Sequence, residues 1–109
     1  MCQYQTLYHK DSVGYVIRCL RCERFQVGYG SVIISFELQD FLHFCRKVLD
    51  IRQNHYPLKD PYLKTMMIPT PCEGLQLFLS QRELYELNEM LESADTELKS
   101  EQLLKLFNI

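Results

Sequence analysis

Seven positions of this chain recur at one fixed spacing. Val32, Ile34, Phe36, Asp40, Phe41, Phe44 and Val48 correspond to Leu75, Leu77, Leu79, Glu83, Leu84, Leu87 and Leu91, each 43 residues later. In both sets the first three residues alternate, which is the period of a half-buried strand. The last three step by three and four, which is the period of a helix with one buried face. Such a strand-to-helix unit has an apolar side that it cannot cover alone, so each unit must pack on another layer. Two readings of the spacing stand side by side: an internal duplication, or two amphipathic junctions that share a common pattern.

The segments around these junctions complete two ββα-like units. Phe25-Gln-Val27 and Ser31–Phe36 flank Gly28-Tyr-Gly30, a sequence suited to a tight connection. Leu38, Phe41, Leu42, Cys45, Val48 and Leu49 then predict an amphipathic helix over residues 38–53, closed by Pro57 and Pro61. In the second unit Thr65–Ile68 and Leu75–Leu79 read as a hairpin around Pro69-Thr-Pro-Cys-Glu-Gly74. Ser80-Gln-Arg-Glu83 is a capping box, in which hydroxyl and carboxylate each satisfy an amide left open at a helix start. It predicts a helix over 81–93, and Leu98, Leu103, Leu104 and Phe107 predict another over 97–107.

Upstream, Tyr4, Leu7 and Tyr8, the turn Asp11-Ser-Val-Gly14 and Tyr15-Val-Ile-Arg18 read as an N-terminal hairpin. The expected fold is α+β: two ββα-like units forming an antiparallel sheet packed on helices, with an N-terminal hairpin and a C-terminal helix. At 109 residues the chain is read as a single domain, 1–109.

Several function classes fall away. The apolar runs, such as Val32-Ile-Ile34 and Met66-Met-Ile68, are far shorter than the roughly 20 residues of a membrane helix. The N-terminus lacks the features of a secretory signal, so a cytoplasmic protein is expected. Residues 1–64 carry nine Lys/Arg against six Asp/Glu, and residues 65–109 three against eight. Phosphate binding needs a concentrated positive surface, and Arg18, Arg21 and Arg24 alone suggest one. Interleaved with Tyr15, Phe25 and Tyr29, they define a single-stranded RNA reading that the overall charge disfavours. Residues 81–107 hold seven acidic against three basic residues, which argues against a helix-turn-helix. Glu83, Glu86, Glu89 and Glu92 read as a solvated helix face. No phosphate loop, nucleophile elbow or His-Glu-x-x-His motif is present, so no catalytic residue is assigned.

The chemistry-bearing motif is Arg18-Cys-Leu-Arg-Cys-Glu-Arg24. Cys-x2-Cys places two thiolates within tetrahedral reach of one Zn2+. If the first hairpin turns at 11–14, antiparallel register sets His9 opposite about Val16 and brings Cys2 close to Cys22, making Cys2 the third ligand. Cys72, in a Pro-flanked loop, is the candidate for the fourth. Cys45 lies on the apolar helix stripe and is read as core, and His43 and His55 as polar surface. Against this site stand two alternatives: simple reduced thiols, and a redox or metal-carrying pair at Cys19 and Cys22.

Cys2, Tyr15-Val-Ile-Arg-Cys19, Cys22, Phe25-Gln-Val27 and Tyr29-Gly30, followed by a Phe-rich helix, resemble a family of small uncharacterised proteins from Bacteroidetes. The resemblance implies a cytoplasmic bacterial origin and no reaction. The expected function is a non-enzymatic interaction domain with a structural zinc held by Cys2, Cys19, Cys22 and Cys72. Its partner would be another protein or a second copy.

Overall fold

The structure, a computed structural model, describes residues 3–107. Strands β1 (Tyr4–Lys10), β2 (Gly14–Cys19), β3 (Phe25–Tyr29) and β4 (Val32–Phe36) lead into helix α1 (Leu38–Asn54). Strands β5 (Lys64–Pro69) and β6 (Gln76–Ser80) lead into helix α2 (Gln81–Phe107). The fold is α+β with antiparallel sheets and a C-terminal helix. Its strands divide into two sheets, the meander β1-β2-β3-β4 and the hairpin β5-β6, where one sheet was expected. β2 occupies the β3 edge over its whole length, from Gly14↔Tyr29 to Arg18↔Phe25, so the second hairpin does not pair there, and β4 stays an edge strand.

The N-terminal hairpin forms as expected, with His9 opposite Tyr15, one residue from Val16, and a bulge between Thr6 and Tyr8 that moves the register by one for Tyr4–Thr6. Gly14 is required by close approach: a Cβ there would collide with the Gly28 carbonyl oxygen and lie 3.3 Å from Met90 Sδ. The capping box is present, with the Ser80 amide donating to Glu83 Oε1 at 3.0 Å and the Glu83 amide donating to Ser80 Oγ at 3.2 Å.

The two helices predicted at 81–93 and 97–107 are one. Ala94 and Leu98 are buried and continue the line of Leu84, Leu87 and Leu91, while Asp95 reaches Lys99 at 2.9 Å across one turn. Core burial thus carries the helix through Ser93-Ala-Asp-Thr96, whose polar residues favour a cap in isolation.

The 43-residue spacing is a property of the tertiary structure. Ile34, Phe36, Phe41, Phe44 and Val48 are buried, as are Leu77, Leu79, Leu84, Leu87 and Leu91, and Val32 and Leu75 are both partly buried against the same core. Contacts between the units obey the same relation. Arg52 on α1 donates to Asn88 Oδ1 on α2 at 2.9 Å. The residue 43 after Arg52 is Asp95, which lines a surface cleft with Cys45, the residue 43 before Asn88. The helices therefore run antiparallel, related by an approximate twofold axis, with the shared core between the units. The ring of Phe41 stacks on Phe25 at 4.6 Å, which fixes α1 on the four-stranded sheet.

Candidate metal centre

The β2–β3 connection carries both cysteines of the motif. The Cys19 amide donates to the Arg24 carbonyl at 2.8 Å, closing the hairpin, and the Glu23 amide donates to the Cys19 carbonyl at 2.9 Å. Glu23 completes the turn in the left-handed region, with φ 59°. Within this loop the Cys22 amide points at Cys19 Sγ, 3.3 Å away. An amide aimed at sulfur stabilises negative charge on it, which is the form that binds metal. Cys19 is buried and Cys22 is exposed.

The first strand enters beside this loop. Tyr4 pairs with Cys19, and the Leu20 amide donates to the Gln3 carbonyl at 2.8 Å. The predicted third ligand, Cys2, lies outside the described residues. The fourth, Cys72, is exposed in the β5–β6 loop. Among the described residues, no group of three His, Cys, Asp or Glu side chains is placed to hold a metal ion, so Cys72 is not gathered with Cys19 and Cys22.

Cys45 is buried in the core as expected, and its thiol is pushed up to about 12, by burial first and then by the charges of Asp95 and Glu92. His43 is exposed. His55 is only partly exposed, its ring bridging the Tyr56 carbonyl at 2.9 Å and the Tyr85 hydroxyl at 3.0 Å.

The basic and aromatic set proposed for RNA stacking is dispersed. Phe25 and Tyr29 are buried on the core side of the sheet, because Phe25, Val27 and Tyr29 alternate onto the face that the helices cover. Arg18 also faces inward. Its Nη2 donates to Glu101 Oε2 at 3.1 Å and to Gln5 Oε1 at 2.6 Å, and Gln5 Nε2 donates to Glu101 in turn. This clamp, which only the tertiary structure reveals, ties α2 to the sheet one residue from Cys19.

The glutamate series on α2 divides: Glu83 and Glu86 are partly buried and engaged, while Glu89 and Glu92 are exposed as expected. Glu83 meets Lys64 at 2.8 Å, Glu86 accepts the Tyr29 hydroxyl at 2.8 Å, and Glu89 lies 3.8 Å from Arg52. Burial would raise the Glu83 carboxyl, but the hydrogen bonds and charge of Lys64 together with those of Ser80 hold it below its ordinary value. Burial and the Glu86 carboxylate push the Tyr29 hydroxyl well above the usual phenol range, so Tyr29 stays neutral.

Fold and site together define a small α+β domain built from two ββα units, with a two-thiol hairpin at one end of its larger sheet. The whole chain, residues 1–109, matches the model of a family of unknown function, DUF6686, and the protein belongs to that family. No curated protein and no solved structure matches it. No helix of the described residues is long and apolar enough to cross a membrane.

Proposed function

We propose that the protein is a non-enzymatic protein-interaction domain whose β2–β3 hairpin is stiffened by zinc. The observation that carries this reading is the Cys22 amide directed at Cys19 Sγ at 3.3 Å, inside a loop that holds both sulfurs on one turn. Cys19 and Cys22 supply two thiolates. Cys2 supplies a third, because the register of β1 brings Gln3 alongside Leu20. The fourth position goes to a protein donor from outside the domain, Cys72 of a second copy. Zinc chemistry is purely structural in this reading: a closed tetrahedral site lends stability and exposes no reactive water.

Partner binding is assigned to surface the fold leaves uncovered. The final turns of α2 expose Leu103, Leu104, Leu106 and Phe107, on the side away from the Leu84–Leu98 core stripe. A bacterial cytoplasm, which keeps thiols reduced, suits such a site.

A second reading, thiol exchange or metal transfer, rests on the unequal exposure of the pair. Exposed Cys22 would attack and buried Cys19 would resolve.

The deciding test is elemental analysis of freshly purified, untagged protein beside Cys19→Ser. Zinc near one equivalent, lost in the variant with a fall in Tm, is expected. Metal-free protein that undergoes reversible Cys19–Cys22 oxidation without loss of fold would replace the zinc reading with the exchange reading.

A further inference from the structure

The approximate twofold relation shows a vacancy. In the second unit, the flank of α2 formed by Glu83, Glu86 and Met90 is covered from the sheet side. The Tyr29 ring is buried against it, its hydroxyl 2.8 Å from Glu86 Oε1 and 3.1 Å from the Glu83 carbonyl oxygen, and Gly14 approaches Met90. The same flank of α1, 43 residues earlier, is Asp40, His43 and Lys47. It lines a cleft of about 500 Å³ with Phe44, Pro69, Thr70 and Pro71.

Strand register identifies what is missing there. Val27 pairs with Ile34 and Ile68 pairs with Leu77, so Val27 answers to Ile68 and Tyr29, two residues on, answers to Thr70. Where the first hairpin sends a phenol ring onto the partner helix, the second has a short side chain folded back on its own loop. Thr70 Oγ1 donates to the Leu75 carbonyl at 2.8 Å and accepts the Cys72 amide at 3.2 Å. The cleft is therefore space that no side chain answering to Tyr29 enters, large enough for a ring and its substituents, and its volume lies in the range of small-molecule sites.

The walls specify the ligand. Pro69 and Pro71 offer apolar surface, with the edge of buried Phe44 beneath them. Where the hydroxyl of Tyr29 meets the acceptor Glu86, the α1 flank places His43, and one turn further Lys47 replaces Met90. Lys is a donor only, so this end calls for an acceptor and favours an anion. The side chains of Asp40, His43 and Lys47 make no ion pair with one another or with any other side chain among the described residues. Asp40 stands at the far end of the flank, about 10 Å from Lys47 along the helix axis, where it would accept a hydroxyl.

We propose that the cleft between α1 and the β5–β6 loop binds a small aromatic carboxylate, its ring in the place that Tyr29 fills in the other half and its carboxylate on Lys47 and His43. The site is separate from the cysteine hairpin and stands whether or not zinc binds there.

The test is an amide NMR titration of the full chain with 4-hydroxyphenylacetate, with benzylamine as the cation of similar shape. Saturable shifts at residues 40–47 and 69–71 are expected with the acid and not the amine. Lys47→Glu should weaken binding roughly tenfold, the loss of one charge-assisted hydrogen bond. Thr70→Tyr, which supplies the missing ring, should abolish binding; should that variant not fold, the exposed Lys47→Glu decides alone. The proposal is overturned by the absence of saturable shifts up to about 10 mM, where a millimolar site is filled. Equal binding of benzylamine, or unchanged affinity in Lys47→Glu, overturns it as well.

Discussion

At the start of α2 the Ser80 hydroxyl and the Glu83 carboxylate each take one main-chain amide, and Lys64 adds its charge to the same carboxylate. Ser80→Ala should therefore cost about 1 kcal/mol in urea unfolding, the usual worth of a side-chain cap. The Glu83 carboxyl is held below its ordinary value in the fold. Its contribution is thus full above the unfolded carboxylate range and is lost as pH falls through the lower folded value. Glu83→Gln should flatten the acid limb of stability against pH, and an acid limb identical to the wild type would contradict the role given to this group. For Cys45 the sign is reversed. Its thiol is raised to about 12, so the stability tied to the neutral form is complete below the ordinary thiol pKa and declines as pH climbs toward 12. A disulfide-exchange reagent at neutral pH should modify exposed Cys72 at once and buried Cys45 only on unfolding, as peptide mass mapping would show.

Among the elements, α2 departs furthest from local expectation. Thr96 is exposed, in a stretch that reads as a helix boundary and is helix interior. Thr96→Ala gives a result whose sign separates the two descriptions. In a continuous helix the substitution should stabilise by about 0.5 kcal/mol through propensity, whereas at the cap of a separate helix it would cost about 1 kcal/mol. The Arg18–Gln5–Glu101 clamp is what holds the far part of this helix to the sheet, beyond Leu98, its last buried apolar residue. Arg18→Ala should cost about 2 kcal/mol, the scale of a hydrogen bond to a charged group, and speed amide exchange in residues 99–107 before the rest of α2.

For the whole molecule, the shared core makes the two ββα units one cooperative body. Phe44 and Leu87 hold equivalent places, both buried. Phe44→Ala and Leu87→Ala should each cost about 3 to 4 kcal/mol by leaving a cavity. Each should lower one common transition, seen alike by far-ultraviolet circular dichroism and tyrosine fluorescence. Two separated transitions would mean that the units fold independently. The twofold relation is also what makes the Tyr29 and Thr70 positions comparable, so the cleft between α1 and the β5–β6 loop is a consequence of architecture that no single residue announces.

Much of this was open to inspection in the chain itself. Alternation at Val32–Phe36 and Leu75–Leu79, helical spacing after each, and the Ser80–Glu83 cap set the elements and their buried faces, because these depend on side-chain period and on neighbours three or four residues away. The Cys19–Cys22 loop was legible for the same reason, since both thiols sit on one turn. What lay beyond the sequence were choices among distant partners: β2 at the β3 edge, Arg18 drawn inward to Glu101, Phe25 and Tyr29 turned to the core, α2 continued through Ala94. Each compares a local preference of about 1 kcal/mol with burial or pairing of larger worth that exists only once the other layer is in place. Side-chain period and near neighbours set the units and their apolar faces; packing set which edges met, and so which helix was covered by the other unit's tyrosine and which was left beside a cleft.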